Sequence, residues 1–236
     1  MIHQFIFAAP KPGMSAEAFQ DYWVNNHAVN YAAKIPQIVR YLIDTRIPFE
    51  GDYGTPQLPH EGIAEIWLRN GEEQLASLQT PEFLEGARLD EPNWAAFWFT
   101  IVVDTQAHEI VAGPGMVEGA DWIKMTVLLK RKPGMSLEAY RKQSLGAYAE
   151  TVSQLPGLRR YLHCHTQDGA YTFGEANFDS VEQYFFDDID ALKAAFASEQ
   201  YTHVQAARDT LIDPKYIFSM TAKEHWVIGP PLREPS

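Results

Sequence analysis

Residues 10–19 read PKPGMSAEAF and residues 131–140 read RKPGMSLEAY. Further on, KIPQIVRYL (34–42) is matched by QLPGLRRYL (154–162), and HEIVAGP (108–114) by EHWVIGP (224–230). The three matches keep their order while the offset drifts from 121 to 120 to 116, as small loop indels would produce. The chain is therefore read as a tandem duplication, and each copy checks the other.

Around the repeated turn, IHQFIFA (2–8) and WIKMTVLLK (122–130) are short apolar runs that end at Lys-Pro-Gly, the pattern of strands closed by a turn. Ser15 and Ser136 then stand as N-caps of helices expected to run to about residues 33 and 153, each stopping before a proline. IVRYLIDTRI (38–47) and LRRYLHCHT (158–166) read as second strands, and GIAEIWLRN (62–70) and YTFGEANFDS (171–180) as third strands. Second helical regions are expected at 71–88 and 180–197, the latter capped by Ser180, with closing strands at 97–111 and 215–227. The order β-α-β-β-α-β, read twice, predicts an α+β chain. Two ferredoxin-like units are fused, lobe 1–116 and lobe 117–236, with their sheets packed face to face as a pseudo-dimeric α/β barrel.

The chain has 236 residues, enough for one large or two small domains. Apolar residues make up 46% and aromatic residues 13%, which supports a sizeable core or an aromatic-lined cavity. A formal net charge of −12 argues against nucleic acid and anionic membranes as partners. Cys164 is the single cysteine, so neither an intrachain disulfide nor a thiolate metal site is expected. The N-terminal apolar run is too short for a signal peptide or a membrane span, so the expected location is the cytoplasm.

The segments KPGMSAEAFQDYWVNNHA, IPQIVRYL and GIAEIWLRN resemble the EthD-like family of the dimeric α/β-barrel superfamily. The resemblance covers nearly the whole chain in two copies. It implies a small-molecule enzyme, since superfamily relatives include cyclases, isomerases, decarboxylases, cofactor-free monooxygenases and haem-handling proteins. The reaction itself stays open.

Within the first expected helix, Phe19, Trp23, His27 and Tyr31 share one stripe, with Tyr22, Asn26 and Asn30 beside it. An imidazole there is suited to acid/base work near neutral pH. His27 and Tyr31 are the expected catalytic pair. Trp23, Asn26, Tyr22, Tyr41, Glu65 and His60 are expected to bind or orient the substrate. In the second copy Ser144 replaces Trp23, and either Ala147 or Tyr148 replaces His27, which points to one specialised pocket in the N-terminal lobe. Glu65 and Glu175 are aligned as a repeated acid, paired with Arg40 or Arg160. His163 and His165 share a strand face, with His225 and Glu175 as conceivable third metal ligands, but a His-x-His pair alone is a weak signal and no metal is expected. His60 lies in a long Pro/Gly-rich loop (49–62) that could act as a lid.

Phosphate-loop, nucleophile-elbow, dinucleotide and zincin motifs are absent from the sequence. The reading is cofactor-independent proton transfer of lyase or isomerase type on a hydrophobic, aromatic or polyketide-like substrate. The alternatives are an oxidoreductase, cofactor-free or haem-dependent, and a non-catalytic binder of hydrophobic compounds. A homodimer of the pseudo-dimer stays open.

Overall fold

In a computed structural model, which describes residues 1–116 and 120–234, each Lys-Pro-Gly segment forms the predicted turn. Met14 N–H bonds to the Lys11 carbonyl at 3.0 Å and Met135 N–H to the Lys132 carbonyl at 3.2 Å. Gly13 and Gly134 take φ of 85° and 83°, where a side chain would be strained. Ser15 and Ser136 then cap their helices, accepting from Ala18 N–H at 3.2 Å and Ala139 N–H at 3.1 Å.

The first copy runs β1 (Ile2–Ala8), α1 (16–30), β2 (Arg40–Arg46), β3 (Gly62–Leu68), α2 (Gly71–Ser77), α3 (82–90) and β4 (Ile101–Val111). The second runs β5 (Ile123–Arg131), α4 (137–152), β6 (Arg160–Thr166), β7 (Ser180–Phe186), α5 (Ile189–Phe196), α6 (Glu199–Leu211) and β8 (Ile212–Ile228). Helices α1 and α4 each carry one widened π-type turn, Trp23–His27 and Ser144–Tyr148. Such turns are often found where a helix serves a site.

All pairings are antiparallel, and the strands close a barrel in the order β1-β3-β2-β8-β5-β7-β6-β4. Each copy supplies four consecutive strands, and the copies meet at two seams, β2–β8 and β4–β6. Closure leaves no bare sheet edge. The expected boundary between 116 and 117 adjoins residues 117–119, which lie outside the described residues. Among the described residues, no helix is long and apolar enough to cross a membrane.

The expected third strand of the second copy is corrected. Residues 171–180 are not a strand: the 168–171 turn leads into a loop in which Phe173 is fully exposed, and the third strand is SVEQYFF. Ser180 therefore opens β7 instead of capping a helix, and α5 is capped by Asp188, which accepts from Ala191 N–H at 2.7 Å. Every residue of β7 is buried, on both faces, so its alternation was hidden by Glu182 and Gln183. The register pairs Phe5 with Glu65 and Thr126 with Gln183, so Gln183 and not Glu175 is the counterpart of Glu65. Glu175 is exposed and pairs with Lys130 at 2.9 Å and Arg131 at 2.6 Å.

Three cores result. One lies between sheet and helices in each lobe, and the third fills the barrel with Phe5, Phe7, Val103, Leu128, Val181 and Met220. At one end of the barrel the filling turns polar. Lys124 Nζ, completely buried, lies 2.8 Å from Asp44 Oδ1 and 2.7 Å from Glu224 Oε1, and also contacts Glu65. The expected Glu65–Arg40 and Glu175–Arg160 pairings do not form: Glu65 bonds His3 and Lys124, and Arg160 bonds Glu109 at 2.7 Å. Removing one partner of a buried ion cluster leaves the others uncompensated. Lys124→Met should lower unfolding free energy in urea by about 3–5 kcal/mol at pH 7.

Candidate functional site

On α1, Ser15 and the widened turn decide which side chains face the sheet. Phe19 and Trp23 lie fully inward, their ring centroids 5.3 Å apart, and Trp94 packs 5.3 Å from Phe19 and 4.8 Å from Trp23. Tyr41, from β2, is buried in the same cluster. These rings fill the space between sheet and helix, which leaves His27 at its edge. The imidazole stands 4.7 Å from Trp94 and 6.1 Å from Tyr31, with 8% of its side-chain surface exposed.

His27 Nδ1 donates to Asp90 Oδ2 at 2.9 Å. Asp90 comes from the end of α3, across the lobe, and is itself fixed: Tyr22 hydroxyl donates to its Oδ1 at 2.8 Å and Asn93 amide at 3.0 Å. Burial would raise the Asp90 pKa, but the bonds from Asn93, His27 and Tyr22 outweigh it and keep the carboxylate below its usual range. Burial lowers the His27 pKa, with Asp90 opposing, so the imidazole is neutral at pH 7. A neutral ring that donates through Nδ1 presents the Nε2 lone pair, the base-competent tautomer. Tyr22 is pushed up to about 12, by burial and then by Asp90, so it remains a donor.

The other expected site residues divide. Tyr31 and Trp23 belong with His27. Asn26 faces outward and accepts from Asn30 at 2.8 Å along the helix surface. Glu65 points into the barrel, on the opposite face of the sheet from α1, so it is not joined to His27. His60, 1% exposed, donates from Nε2 to the Phe99 carbonyl at 2.8 Å and stacks on Phe99 at 5.2 Å. Its loop reaches the other lobe. Asp52 accepts from Ser219 and Thr221 hydroxyls at 2.8 and 2.9 Å, and Tyr53 packs under Arg208 and bonds Tyr201.

The C-terminal lobe is not a depleted copy. The widened turns align, placing Tyr148 where His27 stands. There Glu182 accepts from Tyr161 at 2.6 Å, Tyr184 at 2.5 Å, Tyr148 at 3.1 Å and His163 Nδ1 at 2.9 Å. His165 meets Ser144 Oγ at 2.8 Å. A haem on His163 does not fit this packing: Tyr140, Tyr148, Tyr161 and His165 surround the ring at 4.9–6.4 Å. Asp90, His3, Lys124 and Glu182 were not anticipated. The duplication offers a signal for two of them, since the offset of 121 aligns His3 with Lys124.

Once this geometry is in view, comparison with known proteins is informative about the fold. The model of the EthD domain matches residues 11–97 and again 132–215. No curated protein matches the chain. An anthrone oxidase-like protein is 13% identical, covering 96% of this chain and 92% of its own, with a TM-score of 0.65. A protein assigned as a monooxygenase from Fusobacterium nucleatum is 10% identical, covering 99% and 97%, with a TM-score of 0.60. Another so assigned, from Lactobacillus acidophilus, is 12% identical, covering 99% of each chain, with a TM-score of 0.54.

Glu91, next to Asp90, offers a direct test of the local electrostatics. Burial pushes its carboxyl up to about 7, with Arg88 opposing and Asp90 adding to the rise. A carboxyl whose folded pKa lies above its unfolded value stabilises below the unfolded value and loses that contribution as pH rises through about 7. Glu91→Gln should therefore leave the melting temperature nearly unchanged at pH 4 and raise it relative to the parent at pH 8, as measured by calorimetry.

Proposed function

The chain belongs to the EthD domain family, and from that premise we propose that it is a cofactor-independent enzyme of small hydrophobic molecules that works by proton transfer at His27. The observation that carries this reading is the His27–Asp90 pair, 2.9 Å apart, with Asp90 braced by Tyr22 and Asn93. A carboxylate that fixes the tautomer of an imidazole and stabilises the imidazolium it becomes is the standard way to make a directed base.

In this reading Nε2 removes a proton from a carbon next to a carbonyl or on an aromatic ketone. The electron pair moves onto the carbonyl oxygen, and Tyr31 hydrogen-bonds the enolate. The imidazolium then returns the proton elsewhere on the product (isomerisation) or to a departing hydroxyl (dehydration). Trp94, packed 4.7 Å from the imidazole within the filled ring cluster, backs His27 and holds its ring plane. Oxidation by dioxygen without a cofactor starts from the same carbanion, so the pair would serve that reaction too.

Deuterium incorporation from D2O into a panel of aryl ketones and β-diketones, followed by NMR, tests the proposal. His27→Ala should slow exchange at least about 100-fold, the usual worth of a positioned base, and Asp90→Asn should slow it less. Dioxygen uptake in the same samples separates oxidation from isomerisation. Exchange that is equally fast in the parent and His27→Ala would contradict the assignment.

A further inference from the structure

The polar end of the barrel holds a cavity of about 150 Å³ that the His27 reading does not use. Its floor is His3 and Glu65, with Gln183 beside them, and its walls include Leu42, Trp67, Leu162 and Phe185. Arg160 and Glu109 also line it, and it opens to solvent beside β4, where Ala107 and Glu109 are exposed.

Charge at this cavity is weighted towards acid, with three carboxyls around one lysine. Lys124 sits among Asp44, Glu65 and Glu224, and Arg160 is paired with Glu109. An anionic guest would meet this excess of acid in a dry site, which favours an uncharged guest over an anion.

Hydrogen bonding is not matched. Glu65 accepts from Lys124, from Gln183 Nε2 at 2.6 Å and from His3 Nε2 at 2.6 Å. An ionised Glu65 fixes the His3 proton on Nε2, so Nδ1 carries a lone pair. That Nδ1 is buried and has no partner, and His3 itself is 2% exposed. Arg160, 8% exposed, likewise leaves Nε buried without a partner. One orphan needs a donor and the other an acceptor. A hydroxyl supplies both.

Size narrows the class further. An apolar cavity of about 150 Å³ is the volume that accepts a benzene ring. Here Trp67 and Phe185 supply aromatic walls, with His3 stacked 4.2 Å from Trp67.

We propose that the barrel interior is a binding site for a neutral single-ring phenol, its hydroxyl donating to His3 Nδ1 and its ring held between Trp67, Leu162 and Phe185. The site lies on the opposite face of the sheet from His27 and belongs to both lobes, since His3, Glu65 and Trp67 come from one and Arg160, Leu162 and Phe185 from the other. It is independent of the proton-transfer reading.

Isothermal titration of the full chain with phenol, toluene and benzoate tests it. Phenol should bind with one site per chain, toluene at least about tenfold more weakly for lack of the hydroxyl, and benzoate should show no saturation over the same range. His3→Phe keeps a stacked ring but removes Nδ1, and should weaken phenol to the level of toluene. Ala107→Leu, which adds bulk at the cavity wall without touching the ion cluster, should abolish phenol binding while the melting temperature holds. This second variant carries the test if His3→Phe unfolds. His27→Ala should bind phenol like the parent, so the two proposals can fail separately. Toluene binding as tightly as phenol, phenol binding undiminished by Ala107→Leu, or no phenol binding at all would overturn the site.

Discussion

A completely buried lysine from the second copy, Lys124, lies among two acids of the first copy, Asp44 and Glu65, and one from β8, Glu224. Burial alone would strip the lysine of its proton, but the acids more than reverse this and hold its pKa above the usual value. Burial would likewise raise Glu65, and Lys124 with His3 reverses that too, keeping it ionised far down the pH scale. Asp44 takes the other outcome, its pKa raised well above normal by burial despite Lys124. Two carboxyls side by side in a dry interior therefore share one negative charge. Such a cluster works only when both half-sheets are closed on each other. It favours one relative placement of the lobes over any that merely buries apolar surface, and it keeps one end of the barrel from filling with hydrocarbon.

With the barrel closed, each half-sheet offers two separate environments, and the copies have used them differently. On its outer face the N-terminal lobe packs rings around α1 and leaves an imidazole and a carboxylate at the rim. The C-terminal lobe buries a carboxylate, Glu182, under three tyrosines and a histidine on the corresponding face. The difference traces to a few positions: Ala64 faces α1 where Glu182 stands in the other sheet, as the registers Ile6–Ala64 and Val127–Glu182 show. Four charge-assisted bonds satisfy that buried acid, which makes a structural role sufficient for it.

Most of the fold was legible because duplication supplies two readings of each element. The turn glycines, Ser15 and Ser136, and the prolines that stop both helices are local signals with local causes, and they appear as expected. The third strand of the second copy was misread because it is buried on both faces. Ser180, Glu182 and Tyr184 are polar or amphipathic on the helix side, while the apolar spacing of Val181, Tyr184 and Phe185 imitates a helix. The candidate site was half legible. His27, Trp23 and Tyr31 follow from helical spacing. Asp90 lies 63 residues on and was visible only once α3 packed beside α1. Glu65 was singled out as a repeated acid beside the site, but the face it occupies depends on strand register, and one residue of phase sends a side chain to the barrel or to the helices.

Two buried histidines carry the account, and they are held in opposite ways. His27 donates from Nδ1 to Asp90, and His3 donates from Nε2 to Glu65. Long-range ¹⁵N–¹H correlation of the imidazole nitrogens at pH 7 reads both tautomers in one spectrum. The account predicts neutral rings, with the proton of His27 on Nδ1 and that of His3 on Nε2. An imidazolium at either position, or a proton on the opposite nitrogen, would contradict it.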